Sequence, residues 1–214
     1  MTTRRQRTAL RPPTKDIVRF PKWRLRPTHD LLRAHGVGLS PWWFSSDLSG
    51  RFDLVPPNGT CYLATDLGTA LRERFGHALV NQGVVTFEAA ARTHVSRLRV
   101  PAGRWLANTC HDGAAHFGLT RELGTCADYR LPQAWAAAFH GSGLSGGTRY
   151  QTRFTTGPRP NAVALFGEAG PQEWPVDDAP LAGVDACGDV GITVVHLPSR
   201  RQLRIQPPPE ETIR

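Results

Sequence analysis

The chain has 214 residues, 40% hydrophobic and 21% charged, enough for one well-formed core and without the signature of wholesale disorder. Its formal charge of +8 resembles a nucleic-acid signature, yet residues 1–26 hold nine Arg or Lys against Asp16 alone, so the remainder is formally neutral. No apolar run approaches the roughly 20 residues of a membrane span, and no apolar segment follows the basic N-terminus, which excludes a bilayer-spanning or signal-peptide reading.

In chain order, residues 1–28 are expected to form a basic, flexible arm interrupted by Pro12 and Pro13. Such an arm suits an acidic partner and only weakly suggests nucleic acid. Residues 29–206 are expected to fold as one domain, with 207–214 as a frayed tail. The stretch up to Gly50 reads as irregular, with turn residues at Gly36, Gly38 and Pro41 and with Trp42, Trp43 and Phe44 anchoring it. Pro56, Pro57, Asn58 and Gly59 make a strong turn signal. Thr60–Ala64 then reads as a buried strand, and Thr65 or Asp66 caps a helix whose apolar side holds Leu67, Ala70, Leu71 and Ala78.

Further along, VSRLRV (95–100) alternates as a half-buried strand does, and Trp105 and Leu106 suggest another. Helices are predicted around 113–123 and 132–140, with Pro132 in the first turn of the second. The run GSGLSGGTRYQTRF reads as a glycine-rich loop entering a strand. NAVALF (161–166), GITVVHL (191–197) and the shorter RQLRI (201–205) complete the strand set. Short strands interspersed with helices predict an α+β fold rather than a doubly wound sheet. There is no internal repeat and no Walker or Rossmann glycine pattern.

The four cysteines, Cys61, Cys110, Cys126 and Cys187, are scattered. Cys110, His111, His116 and Cys126 lack the close ligand pairs of structural zinc sites, so no metal is expected. Reduced thiols in a cytoplasmic protein are the simplest account.

Arg51, Tyr62 and Glu73 stand out as a set. An arginine fork suits pyrophosphate oxygens, a tyrosine gives a face for a base or nicotinamide ring, and a carboxylate stabilises positive charge developing at an anomeric carbon. Those are the needs of N-glycosidic cleavage in a nucleotide. Taken singly, each also fits a surface or core position.

The segments LLRAH, PWWF, GRFDL, GTCYLA and LRERFG occur in order, followed by GTCADYRLPQAWAAAFHGSGLSGGTRYQTRF and NAVALFG. Over roughly residues 30–167 this pattern resembles the RES domain family. The resemblance implies a single compact α+β domain similar to the ADP-ribosyltransferase toxins, with short strands around an NAD cleft. It implies a toxin held by an Xre-type antitoxin, degrading NAD by hydrolysis or phosphorolysis of the nicotinamide–ribose bond. Protein ADP-ribosylation, and a non-catalytic module that binds nucleic acid or an acidic partner through the basic arm, are the alternatives.

By the same resemblance, Arg33 and Arg51 look like the family arginines that bind NAD, Tyr62 like the stacking tyrosine and Glu73 like the catalytic glutamate. Thr152 stands where the family has serine, keeping the hydroxyl while its added methyl stiffens χ1. Arg24 is an alternative to Arg33, and His35 a possible cleft residue or a packed one. NAD is implied as substrate.

Overall fold

In the computed structural model, residues 9–198 are described, apart from 144, 157, 158, 160 and 177. Their elements run β1 (Lys22–Leu25), β2 (Leu31–Gly36), β3 (Trp43–Phe44), β4 (Asn58–Ala64), α1 (Leu67–Gln82), β5 (Val85–Thr86), α2 (Phe87–Ala91), β6 (Thr93–Leu98) and β7 (Arg104–Asn108). A 3-10 turn at Asp112–Phe117 precedes α3 (Glu122–Thr125), α4 (Arg130–Gly141), β8 (Gly147–Tyr150), β9 (Ala162–Glu168), β10 (Gly170–Pro171), β11 (Leu181–Ala182), α5 (Gly183–Asp189) and β12 (Val194–Val195). A largely antiparallel sheet with flanking helices gives the expected α+β class.

Eight strands form one sheet in the order β1-β7-β8-β9-β4-β2-β6-β11. All neighbours are antiparallel except β7 and β8. Period-two alternation divides the core. On β9, Ala162, Ala164 and Phe166 join Phe20, Phe52, Trp135 and Phe139 on one face. Val163 and Leu165 join Leu31, Trp42, Phe44, Cys61 and Leu63 on the other. A third cluster, around Leu71, Phe75, Val95 and Ala186, packs α1, α2 and α5 onto Leu32 and Ala34 of β2. One face of the sheet therefore has two separate helical covers, while the cluster on the opposite face runs continuously from Val163 and Leu165 of β9 to Leu31 of β2 and Leu98 of β6.

In backbone pairing the β2 and β4 sides of the sheet are barely joined. β4 pairs with β9 along seven residues and β2 with β6 along six, yet β2 and β4 pair only at Leu32 with Ala64. Beyond that pair the two strands part.

Several expectations are corrected. The segment expected as an arm over 1–28 is part of the fold from Leu10 onward. Leu10, Ile17 and Phe20 are buried, β1 lies at one sheet edge, and Trp135 Nε1 donates to the Arg11 carbonyl at 2.8 Å. Apolar residues spaced between the arginines hold it down along α4. LLRAHG, expected as irregular, is β2; both of its faces are covered, so it shows no alternation to read. The helix expected at 113–123 is split by Gly118, whose φ of 83° ends the 3-10 turn. GITVVHL pairs only through Val194 and Val195, because its partner β5 is two residues long. RQLRI and the 207–214 tail lie outside the described residues.

Asp66 is the cap of α1, accepting from Thr69 N at 2.7 Å and from Thr69 Oγ1 at 2.8 Å. Asp66→Ala should lower stability by about 1 kcal/mol in urea titration with an unchanged m-value.

Candidate active site

A cavity of about 340 Å³ opens where β2 and β4 diverge, between residues 32–34, residues 62–64, α1, and the segments around residues 50 and 153. Its wall includes Arg33, Arg51, Arg74 and Arg153 against a single carboxylate, Glu73. Tyr62, Tyr129, Tyr150 and Phe154 supply aromatic surface. This combination of cations and rings matches an anionic ligand with flat parts.

Tyr62 rises from β4 on the same face as Ala164. Its hydroxyl donates to Asp53 Oδ1 at 2.8 Å and accepts from the Phe52 N–H at 2.7 Å. Burial pushes the phenol well above its ordinary range, and the Asp53 carboxylate beside it adds to that. The hydroxyl therefore keeps its proton, and the ring is what the cavity meets.

Asp53 is 2% exposed, and burial raises its carboxyl against the pull of the Gly50 N–H and the Tyr62 hydroxyl. It accepts from Gly50 N at 2.9 Å, closing the turn that carries Arg51. Gly50 is forced by this closure: a Cβ there would strike Asp53 Oδ1 and the Tyr62 hydroxyl. The glycine before Arg51 thus belongs to the seat of Tyr62.

Arg51 Nη1 donates to the carbonyls of Cys126 at 2.8 Å and Leu123 at 3.4 Å, with the Cys126 Sγ at 3.7 Å. Its guanidinium lies over the Tyr129 ring at 4.6 Å. Arg33 also lines the cavity, but its Nη1 donates to the carbonyls of Pro41 and Trp43 at 2.8 and 2.7 Å and to Cys61 Sγ at 2.9 Å. It braces the 41–43 segment across the opening between the strands. Burial pushes the Cys61 thiol up to about 11, so it meets Arg33 as a neutral thiol.

Glu73 projects from α1 into the cavity. It is open to the cavity's solvent, yet crowding by the walls strips enough hydration to raise its carboxyl above the usual range. The Phe154 N–H, 3.4 Å from Oε1, the Thr152 hydroxyl and the charges of Arg51 and Arg153 oppose that rise. Thr152 itself is 5% exposed and stands behind the wall; its Oγ1 lies near Glu73 without completing a full hydrogen bond to any described residue. Its N–H donates to Asn161 Oδ1 at 3.1 Å.

The segment after Thr152 closes onto α1. Phe154 lies against Gly76, where any Cβ would strike its ring, and it meets His77 edge-on at 5.2 Å. Arg153 Nη2 is 3.3 Å from His77 Nε2, which must be the acceptor because a guanidinium only donates.

The fold therefore brings Arg33, Arg51, Tyr62 and Glu73 to one cavity, with Thr152 directly behind. His35 is packed instead, 8% exposed with Nε2 against Ser96 Oγ at 2.9 Å, and Arg24 stacks on Trp105. Sequence reasoning missed Arg74, His77, Tyr129, Tyr150, Arg153 and Phe154. His77 carried a signal, one helical turn beyond Glu73, and Arg153 and Phe154 follow Thr152 directly. Tyr129 carried none, since only the tertiary fold sets it against Arg51. Among the described residues no three His, Cys, Asp or Glu side chains gather as a metal site requires, and no helix is long and apolar enough to cross a membrane.

Known proteins similar to this chain were found by family model and by solved structure. The family model of the RES domain matches residues 21–182. The crystal structure of the M. tuberculosis MbcT–MbcA toxin–antitoxin complex superposes with a TM-score of 0.58 at 13% identity, covering 79% of this chain and 90% of that one. No curated protein matches.

Gly50→Ala should lower stability by roughly 1–3 kcal/mol, because separating Tyr62 from Asp53 leaves buried polar groups unpaired. Thermal unfolding of the variant, compared with Gly68→Ala as a more open glycine control, checks this.

Proposed function

Since the chain belongs to the RES domain family, we propose that it is the toxin of a toxin–antitoxin pair and that its cavity degrades NAD by breaking the nicotinamide–ribose bond. The observation that carries this reading is the convergence of Arg51, Tyr62 and Glu73, from a turn, a strand and a helix, on one cation-rich cavity at the split of the sheet. The likeness to the MbcT–MbcA structure supports an antitoxin as the protein partner.

In this mechanism Arg51, and Arg33 where its fork allows, hold the pyrophosphate, while the Tyr62 ring packs beside nicotinamide. The C1′–N bond breaks with its electron pair passing to the pyridinium nitrogen, so nicotinamide leaves neutral and needs no acid. Glu73 stabilises the oxocarbenium-like ribose. Water adds at C1′ and releases its proton to solvent, giving ADP-ribose; phosphate at the same carbon gives ADP-ribose 1″-phosphate. A protein acceptor would make the same cation a modifying reagent.

Purified protein incubated with NAD should release free nicotinamide without labelling protein, and parallel reactions with and without phosphate identify the acceptor. Glu73→Gln should lower turnover roughly a hundredfold or more with calorimetric NAD affinity nearly unchanged; full turnover in that variant sinks the mechanism. Arg51→Ala should instead weaken NAD binding.

The ionised Glu73 is the working form and its carboxyl is raised, so turnover should fall as pH drops through a value above that of an ordinary glutamate. The same shift has the opposite sign for stability, favouring the fold at low pH and losing that contribution as pH rises through the folded pKa. A pH profile of kcat, set beside Tm of the parent and Glu73→Gln, separates the two.

A further inference from the structure

The segment GTCADYRLPQ (124–133) meets the Arg51 side chain at Cys126 and at Tyr129. Gln133 Nε2 donates to the carbonyls of Leu48 and Gly50, both at 2.9 Å, and so grips the chain just ahead of Arg51. The Cys126 carbonyl takes the edge of the guanidinium, and Tyr129 covers its face at 4.6 Å. Asp128 turns the chain around Tyr129, accepting from the Arg130 N–H at 3.1 Å and from Arg130 Nε at 2.9 Å.

The hydrogen bonds to the guanidinium all use Nη1. Among the described residues none uses Nη2 or Nε, the pair of donors that matches two oxygens of a phosphate. A free arginine side chain samples many rotamers, and fixing it before the ligand arrives removes that entropy from the binding step. A ring on one face and a carbonyl at one corner leave a single orientation for the open edge.

We propose that Tyr129 is a positioning residue for Arg51, fixing its guanidinium plane so that Nη2 and Nε face the diphosphate of the nucleotide. This rests on the reading of the cavity as a nucleotide site. Tyr129 acts through Arg51 on binding, whereas Glu73 acts on the bond that breaks. Loss of the ring should therefore raise KM and leave kcat nearly as it was.

The test compares Tyr129→Phe, Tyr129→Ala, Arg51→Ala and the double variant, by calorimetric titration with ADP-ribose and by nicotinamide release from NAD. Tyr129→Phe keeps the ring and should stay within about twofold of the parent. Tyr129→Ala should weaken ADP-ribose binding and raise KM about tenfold, with kcat within about twofold. In the double variant the loss should equal that of Arg51→Ala alone, since Tyr129 has nothing left to position.

Unchanged ADP-ribose binding in Tyr129→Ala overturns the proposal, as do losses that multiply in the double variant. ADP-ribose binding that depends on Tyr129 in a protein that leaves NAD intact upholds this inference and removes the proposed reaction. NAD cleavage with ADP-ribose binding indifferent to Tyr129 does the reverse.

Discussion

One backbone pairing governs the architecture: Leu32 against Ala64, the single residue pair through which β2 and β4 meet. A fully zipped pair of strands would bury its backbone groups in the ladder and leave a continuous floor. A complete separation would leave two small half-domains, each short of core. One pair, backed by the cluster shared on the opposite face, holds the halves in register and lets them part immediately beyond it. On one face the packing divides in the same way, with Trp135 and Phe139 serving one side and Leu71 and Phe75 the other, while a single cluster spans both sides on the opposite face. The cavity is the space this arrangement leaves, and its chemistry comes from whatever the two halves present to the opening.

What they present is asymmetric. The β4 side is rigid: Tyr62, Asp53 and Gly50 share buried hydrogen bonds, and Gln133 secures the same turn from α4. The α1 side carries Glu73, held against a loop by the longer contact to the Phe154 N–H. The groups proposed to bind ligand thus stand on a hydrogen-bonded wall, while the proposed charge-stabilising carboxylate meets a segment seated by ring packing. Arg33 occupies the gap itself, tying the 41–43 segment to Cys61 with one guanidinium nitrogen. A residue whose type suggests only ligand binding is therefore also part of the frame.

The sequence exposed some of this and concealed the rest for physical reasons. β4, α1 and β9 were readable because each has one dominant periodicity and clear punctuation, such as Asp66 at the start of α1. β2 was hidden because it is covered on both faces. The basic N-terminal segment looked like an arm because charge dominated its composition, whereas Leu10, Ile17 and Phe20 decided its place. Around the cavity, Arg51, Tyr62 and Glu73 had suggestive chemistry and a family pattern. Tyr129 owes its position to a contact across a long stretch of chain, which local spacing does not encode.

Gly76 shows where local and global preferences conflict. A glycine inside a helix costs about 1 kcal/mol relative to alanine, so on helix propensity alone it is the obvious position to improve. Here the missing Cβ is the notch that receives Phe154, whose own backbone amide reaches Glu73. A thermostabilisation scheme guided by helix propensity would choose this substitution early and fill the notch. The weak point of α1 is a socket, and its vacancy lets a distant loop share in the geometry of the carboxylate.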